Sequence, residues 1–246
     1  MPLPSLNPET LLTAWEEAAP ESPVRRALIL LARVWPHRSP QQWADAPIGV
    51  RDASLISLQE ALFGSRLDTT AVCPNCGERL ELTFGTKDIS DAQPALEAAG
   101  PLHVETDGCR IEFRVPNSMD LIAITDSGSA DPRALLLRRC ILSAHRGDSE
   151  VEFGTLAPGA LTAVVNAMAA ADPQAEIRIE TECVACSHRW PVLFDIVPYL
   201  WSEVEDWACR LLNDVHSLAS AYGWSERDIL SLSPQRRRHY LDLVGG

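Results

Sequence analysis

Two cysteine pairs of identical spacing constrain this sequence more than any other feature. Cys73 and Cys76 form one C-x-x-C pair, and Cys183 and Cys186 form the other. A tight turn can aim both sulfurs of such a pair at one cation, and four thiolates at about 2.3 Å complete the tetrahedral shell of a structural zinc ion. The sequence therefore predicts one structural Zn²⁺ per chain, held by these four cysteines.

The two pairs lie unusually far apart. Residues 77–182 separate them, whereas a compact zinc ribbon has roughly 15 to 20 residues in that place. Apolar and polar residues alternate after Cys76 and on both sides of the second pair, so each pair predicts a turn between two β-strands. If one ion takes both pairs, residues 85–176 must leave the site and return to it, like a domain inserted into a ribbon.

Other readings of the cysteines have less support. The number of cysteines, seven, is odd, and the first residues do not form a secretory signal, so the chain is expected in the cytoplasm, where metal is favoured over disulfides. A thioredoxin-like redox site would need a helix after its C-x-x-C pair, and none is predicted. We interpret Cys109, Cys140 and Cys209 as small core residues, and His188 as a surface or strand-end residue.

The charge balance bears on the class of partner. The chain has 34 acidic and 21 basic residues, for a formal net charge of -13, which opposes tight binding to phosphates. The run from Arg236 to Arg238 is interpreted as a helix face that pairs with acidic neighbours. A zinc-ribbon module that binds nucleic acid is the alternative hypothesis. No phosphate loop or nucleophile elbow indicates an enzyme or a small-molecule substrate, and no apolar stretch is long enough to predict a membrane span.

Hydrophobic periodicity and capping residues predict an α+β fold, in which a split zinc-ribbon-like β module carries a long mixed α/β insertion and is flanked by helices. Asp107-Gly108 predicts a hairpin turn within the insertion. Ser118 is predicted to cap a short helix at Met119–Thr125, and Pro132 to begin another helix that continues through Leu142. Ser225 and Asp228 form a capping-box-like pair, which predicts the start of a further short helix. The predicted regions are an N-terminal helical region (1–66), a first hairpin (67–84), the insertion (85–175), a second hairpin (176–197) and a C-terminal helical region (198–246).

Several segments carry a resemblance to a known family: residues 47–52, 62–64, 66–67 and 73–82, the second cysteine pair with Trp190 and 194–196, residues 200–203, and the ending at 222–241. Together they resemble the T-even-type phage baseplate protein family, which also occurs in phage-like contractile injection systems and tailocins. The resemblance extends over roughly residues 25–244.

The resemblance implies a non-catalytic component or assembly factor of a contractile baseplate. Such a protein would be made in the bacterial cytoplasm and would bind other baseplate, hub or spike proteins. The apolar stripe that begins at Leu200 and the terminal helices from Ser225 onward are the predicted partner-binding arm.

Overall fold

The chain combines helices with short antiparallel sheets in a computed structural model that describes residues 7–89 and 100–245. The predicted α+β class is confirmed at this level, whereas the zinc-ribbon assignment and the five-region division stay predictions. Three parts of the predicted regions lie outside the described residues: 1–6 in the N-terminal region, 90–99 in the insertion, and 246 in the C-terminal region.

Within the described ranges the α-helices are α1 (Pro8–Ala18), α2 (Pro23–Val34), α3 (Pro40–Ala44), α4 (Ile48–Phe63), α5 (Thr86–Ile89), α6 (Ser118–Ser127), α7 (Pro132–Cys140), α8 (Pro158–Ala171), α9 (Ile196–Tyr222), α10 (Glu226–Leu230) and α11 (Pro234–Gly245). The strands are β1 (Arg66–Val72), β2 (Arg79–Gly85), β3 (Leu102–Thr106), β4 (Cys109–Phe113), β5 (Ile141–Arg146), β6 (Ser149–Glu150), β7 (Ile177–Glu182) and β8 (Arg189–Phe194). Single-turn 3₁₀ helices lie at Phe153–Thr155 and Pro173–Ala175.

Three antiparallel sheets are present among the described strands, with the orders β1-β2, β3-β4-β5-β6 and β7-β8. The hairpin turn predicted at Asp107-Gly108 is confirmed, and it connects β3 to β4. Asp107 (φ 52°) and Gly108 (φ 70°) both have the positive φ that a tight hairpin turn needs. The first and last sheets are the two hairpins that carry the cysteine pairs. The four-stranded sheet lies between them in the sequence.

Two details of the predicted helices are wrong. Helix α7 ends at Cys140 instead of continuing through Leu142, because residues 141–146 form strand β5 and pair with β4. Helix α6 is capped by Asn117 instead of Ser118: the Asn117 side chain accepts from the amide of Asp120, and the Asp120 carboxylate accepts from the amide of Asn117. The capping box predicted for Ser225 and Asp228 is present at the start of α10.

Residues 38–197 form one compact unit. Its core lies where α7 and α8 pack on the four-stranded sheet, and it includes the predicted core residues Cys109 and Cys140. Helix α8 contributes Ala160, Val164 and Met168, which recur every four residues and so share one helix face. The apolar face of the sheet and the apolar stripe of α8 therefore pack together and bury each other's surface.

The described parts of residues 1–37 and 198–246 form a second compact unit. Its core joins Leu12 of α1 to α9 and to Ile229 and Leu230 of α10. The apolar stripe of α9 is buried, including Leu200 (1% exposed) and Val204 (0%). The stripe is therefore not free for a partner, and that part of the predicted partner-binding arm is wrong.

A partly buried junction in the unit of residues 38–197 holds the start of α4, which lies within the family-like segment 47–52. Helix α4 has no capping side chain of its own at its start. Asp172, which follows α8, supplies one, because its carboxylate accepts a hydrogen bond from the amide of Gly49 at 2.9 Å. Next along α4, the buried Arg51 donates to Asp52 at 2.7 Å. The start of α4 is thus capped by a residue 123 positions away in the sequence.

Replacing Gly49 with alanine is expected to destabilise the protein by about 2–4 kcal/mol, because overpacking a tight site and losing a helix cap both lower stability. An added Cβ would overlap the carboxylate of Asp172 and would lie 2.9 Å from the Cβ of Gln174. Urea unfolding measures the change. Gly154→Ala is the matched control, since an added Cβ meets nothing within 4 Å there. A Gly49→Ala protein as stable as the control would contradict the packing argument.

A second buried polar network surrounds Asp120, whose side chain is 0% exposed. Arg114 donates to both carboxylate oxygens, at 2.6 and 2.9 Å, and Arg139 donates at 2.8 Å. The Cys140 thiol lies 3.7 Å from the same carboxylate. Asp120 thus ties α6 to the segment after β4 and to α7.

None of the helices in the described ranges combines the length and apolar character needed to cross a membrane.

Candidate metal centre

The turn between β1 and β2 positions the first cysteine pair. The amide of Cys73 donates to the carbonyl of Glu78 at 2.8 Å, and the amide of Gly77 donates to the carbonyl of Cys73 at 2.9 Å. Gly77 has a φ of 78°, a conformation that costs little only for glycine. The turn thereby places Cys73 and Cys76 at one end of the hairpin.

The turn between β7 and β8 has the same backbone. The amide of Cys183 donates to the carbonyl of His188 at 2.9 Å, and the amide of Ser187 donates to the carbonyl of Cys183 at 2.8 Å. Ser187 takes the place of the glycine and has a φ of 56°, which is uncommon for a residue with a side chain. The two pairs are therefore held by two copies of one turn.

The two turns face each other. The sulfur of Cys73 lies 3.7 Å from that of Cys186, and the sulfur of Cys76 lies 3.6 Å from that of Cys183. All four sulfurs lie within 4.8 Å of one another. The structure thus brings together the four residues that the sequence singled out, across the long segment that separates them.

Aromatic and aliphatic side chains join the two hairpins beside the sulfurs. The rings of Phe84 and Phe194 meet edge to face, with centroids 5.1 Å apart. Leu80, Leu82 and Trp190 pack against the cysteines in the same cluster. The two hairpins are thus joined by side chains other than the cysteines.

The geometry fits a tetrahedral metal better than disulfides. A disulfide needs sulfurs about 2.05 Å apart, and all four cysteines are free thiols. Sulfurs arranged tetrahedrally at about 2.3 Å from one ion are about 3.8 Å apart, which is close to the two separations across the turns, 3.6 and 3.7 Å. Four cysteines so placed can bind a metal such as zinc.

The cluster lies at the protein surface, with one side buried. Cys73 and Cys183, the first residue of each pair, are both 1% exposed. Cys76 is exposed and Cys186 is half-buried. A metal held here would be anchored by two inner ligands and closed off from solvent by two outer ones.

Local hydrogen bonds make the two outer cysteines unequal. The side chain of Asn75 and the backbone of His188 donate to Cys186 and lower the pKa of its thiol to about 6. Cys76 accepts from the backbone of Glu78, which favours its thiolate, but the neighbouring cysteine sulfurs, Cys186 first among them, raise its pKa to about 12. A cation at this site would therefore displace protons when it binds.

Other sequence candidates lie outside the cluster. His188 is half-buried and stacks on Trp190, with ring centroids 5.8 Å apart. Cys209 is exposed on α9, so its interpretation as a core residue is wrong. Arg237 lies 3.7 Å from Asp214, as expected for a basic helix face that pairs with acidic neighbours.

Two features of the site are not among the sequence predictions. Asn75 lies inside the first cysteine motif, and its side chain donates a hydrogen bond to Cys186 of the second motif. Phe84 and Phe194 each lie eight residues after the second cysteine of their pair. That equal spacing was a visible signal that the hairpins are related by internal repetition and could meet in the same way.

Comparison with known proteins places the chain in a family. The model of the T4 bacteriophage base plate protein family matches residues 30–201, which is more than half of the chain. The comparison with curated proteins found no match, and neither did the comparison with solved structures. The matched residues include both cysteine pairs and the capped start of α4, whereas the family-like ending at 222–241 lies beyond the match and stays a prediction. The chain therefore belongs to the T4 bacteriophage base plate protein family.

Proposed function

We propose that this protein is a non-catalytic structural component, or an assembly factor, of the baseplate of a phage-like contractile tail or injection system. The observation that carries the proposal is the family match over residues 30–201. The protein would be made in the bacterial cytoplasm and incorporated into the assembling particle, where it binds other baseplate, hub or spike proteins.

Within this role the cysteine cluster would hold one structural zinc ion. Its ligands would be Cys73, Cys76, Cys183 and Cys186, whose sulfurs lie within 4.8 Å of one another. Zinc contributes a strong, non-redox cross-link between its ligands. Because the four thiolates fill a tetrahedral shell, no position is left for a substrate, which favours a structural ion over a catalytic one.

The surface of the chain favours protein partners. The net charge of -13 would repel a nucleic-acid backbone, so nucleic-acid binding has no support beyond the resemblance of the cysteine turns to ribbons in general. Exposed apolar side chains lie on the hairpins, at Val72 and Leu193, and near the end of α11, at Leu243. With the α9 stripe buried, these are among the apolar side chains of the described residues that baseplate partners would contact.

Deleting the gene in the strain that makes the particle tests the proposed role. Electron microscopy of the lysate is expected to show no complete contractile particles, and expression of the protein in trans should restore them. Immunoblotting of purified particles then separates a component, which co-purifies, from an assembly factor, which does not. Normal particle numbers in the deletion strain would overturn the proposal.

A further inference from the structure

One side chain reaches from the first cysteine turn to the second. The amide nitrogen of Asn75 lies 3.5 Å from the sulfur of Cys186 and donates to it. Ala185 occupies the matching position of the second turn and has no group that could return the bond to Cys76. A side-chain hydrogen bond therefore runs from the first turn to a sulfur of the second, with no counterpart from Ala185 to Cys76.

We propose that Asn75 is a positioning residue of the metal centre, and that its side-chain amide holds the sulfur of Cys186 in place and increases the affinity of the site for zinc. The inference rests on the proposed zinc site. It adds a residue that is not a ligand and that acts only through Cys186.

The physical reason lies in the position of Cys186. Its residue is half-buried, so water and competing chelators reach this side of the site more readily than they reach Cys73 or Cys183. A thiolate that accepts hydrogen bonds is a better-oriented and more stable ligand, and partners of this kind outside the ligand shell typically change metal affinity 10- to 100-fold. Cys186 accepts such a bond from the side-chain amide of Asn75 at 3.5 Å.

The second turn also shows that the test variant is compatible with the fold. Alanine at position 185 occupies the same place in a turn whose two backbone hydrogen bonds match those of the first to within 0.1 Å. Asn75→Ala should therefore keep the backbone and remove only the donor. Asn75→Asp keeps the shape of the side chain but replaces the donor with an acceptor and adds a negative charge beside the thiolates.

The test is competition for zinc between the full-length protein and a chromophoric chelator. We expect Asn75→Ala to raise the dissociation constant about tenfold or more, and Asn75→Asp to raise it further. Val184→Ala is the control in the facing turn, since Val184 is 89% exposed, and it should stay within about twofold of the unmodified protein. Substitution with Co²⁺ gives a second readout, because the thiolate-to-cobalt absorption band should shift in Asn75→Ala and not in Val184→Ala.

The outcomes separate this inference from the proposed zinc site. If the unmodified protein binds one zinc ion and both Asn75 variants hold it within about twofold as tightly, the role of Asn75 is overturned and the zinc site stands. If the unmodified protein binds no zinc, the proposed site fails, and the inference fails with it.

Discussion

Replacing Cys183 with serine is expected to abolish binding of the proposed zinc ion and to destabilise the protein by several kcal/mol. Structural zinc contributes on the order of 10–16 kcal/mol in small zinc-binding peptides, and a serine hydroxyl is a poor ligand for it. Cys183 is 1% exposed and lies 3.6 Å from the sulfur of Cys76, so water cannot easily take its place. Elemental analysis should find the zinc content fall from one ion per chain to near zero, and thermal unfolding should shift to lower temperature.

Cys209→Ser is the matched control for this substitution. Cys209 is exposed and lies outside the cluster, so its replacement should change neither zinc content nor unfolding. Treating the unmodified protein with a strong chelator should reproduce the effect of Cys183→Ser without any substitution. Full zinc content and unchanged stability in the Cys183 variant would show that the four sulfurs do not share a structural ion.

Replacing Asp120 with asparagine is expected to cost about 2 kcal/mol, because two arginines lose their buried partner while solvent reaches part of each of them. The carboxylate of Asp120 is fully buried and accepts from Arg114, Arg139 and the amide of Asn117. An asparagine side chain keeps the shape and one acceptor but not the charge. Urea unfolding at neutral pH measures the loss.

The contribution of the Asp120 carboxylate to the free energy of unfolding is predicted to depend on pH. Burial alone would raise the pKa of Asp120, but hydrogen bonds from Arg114, Asn117 and Arg139 outweigh it and hold the pKa below its usual value. Because the pKa is lowered in the folded state, the stabilisation is present above the unfolded pKa of about 3.9 and is lost as the pH falls through the folded value. The stability difference between the unmodified protein and Asp120→Asn should therefore shrink below about pH 4.

Asp68→Asn serves as the control for the Asp120 variant. Asp68 pairs with Arg66 on an exposed strand face, and exposed ion pairs contribute little. Its substitution should leave the unfolding curve unchanged. A pH-independent difference for Asp120→Asn would contradict the charge argument and would point to packing alone.

Local chemistry allowed much of the site to be predicted from the sequence. The C-x-x-C spacing and the alternation around it are properties of short segments, and the hairpin turn at Asp107-Gly108 depends on two adjacent residues. The capping box of Ser225 and Asp228 is similarly local. Each of these could be derived because the interacting groups lie within a few residues of one another.

The errors arose where distant residues decide the outcome. The apolar run that ends α7 could have continued as a helix, and only pairing with β4 turns residues 141–146 into a strand. The cap of α4 has no local signal for the same reason, because it is supplied by Asp172, which lies 123 residues away. Asn117 is a partial exception: Asp120 three residues later is the signature of a capping box, so the true cap of α6 was visible in the sequence.

The repeated turns have a consequence for the order in which the protein can be completed. The first turn supplies only two of the four sulfurs, and the others arrive with the second turn, which begins at Cys183. A growing chain would thus carry only half of the proposed ligand set while residues 77–182 are being synthesised. A chain broken off before Cys186 would lack at least one of the four sulfurs, and with it the cross-link that the proposed ion would form between the two hairpins.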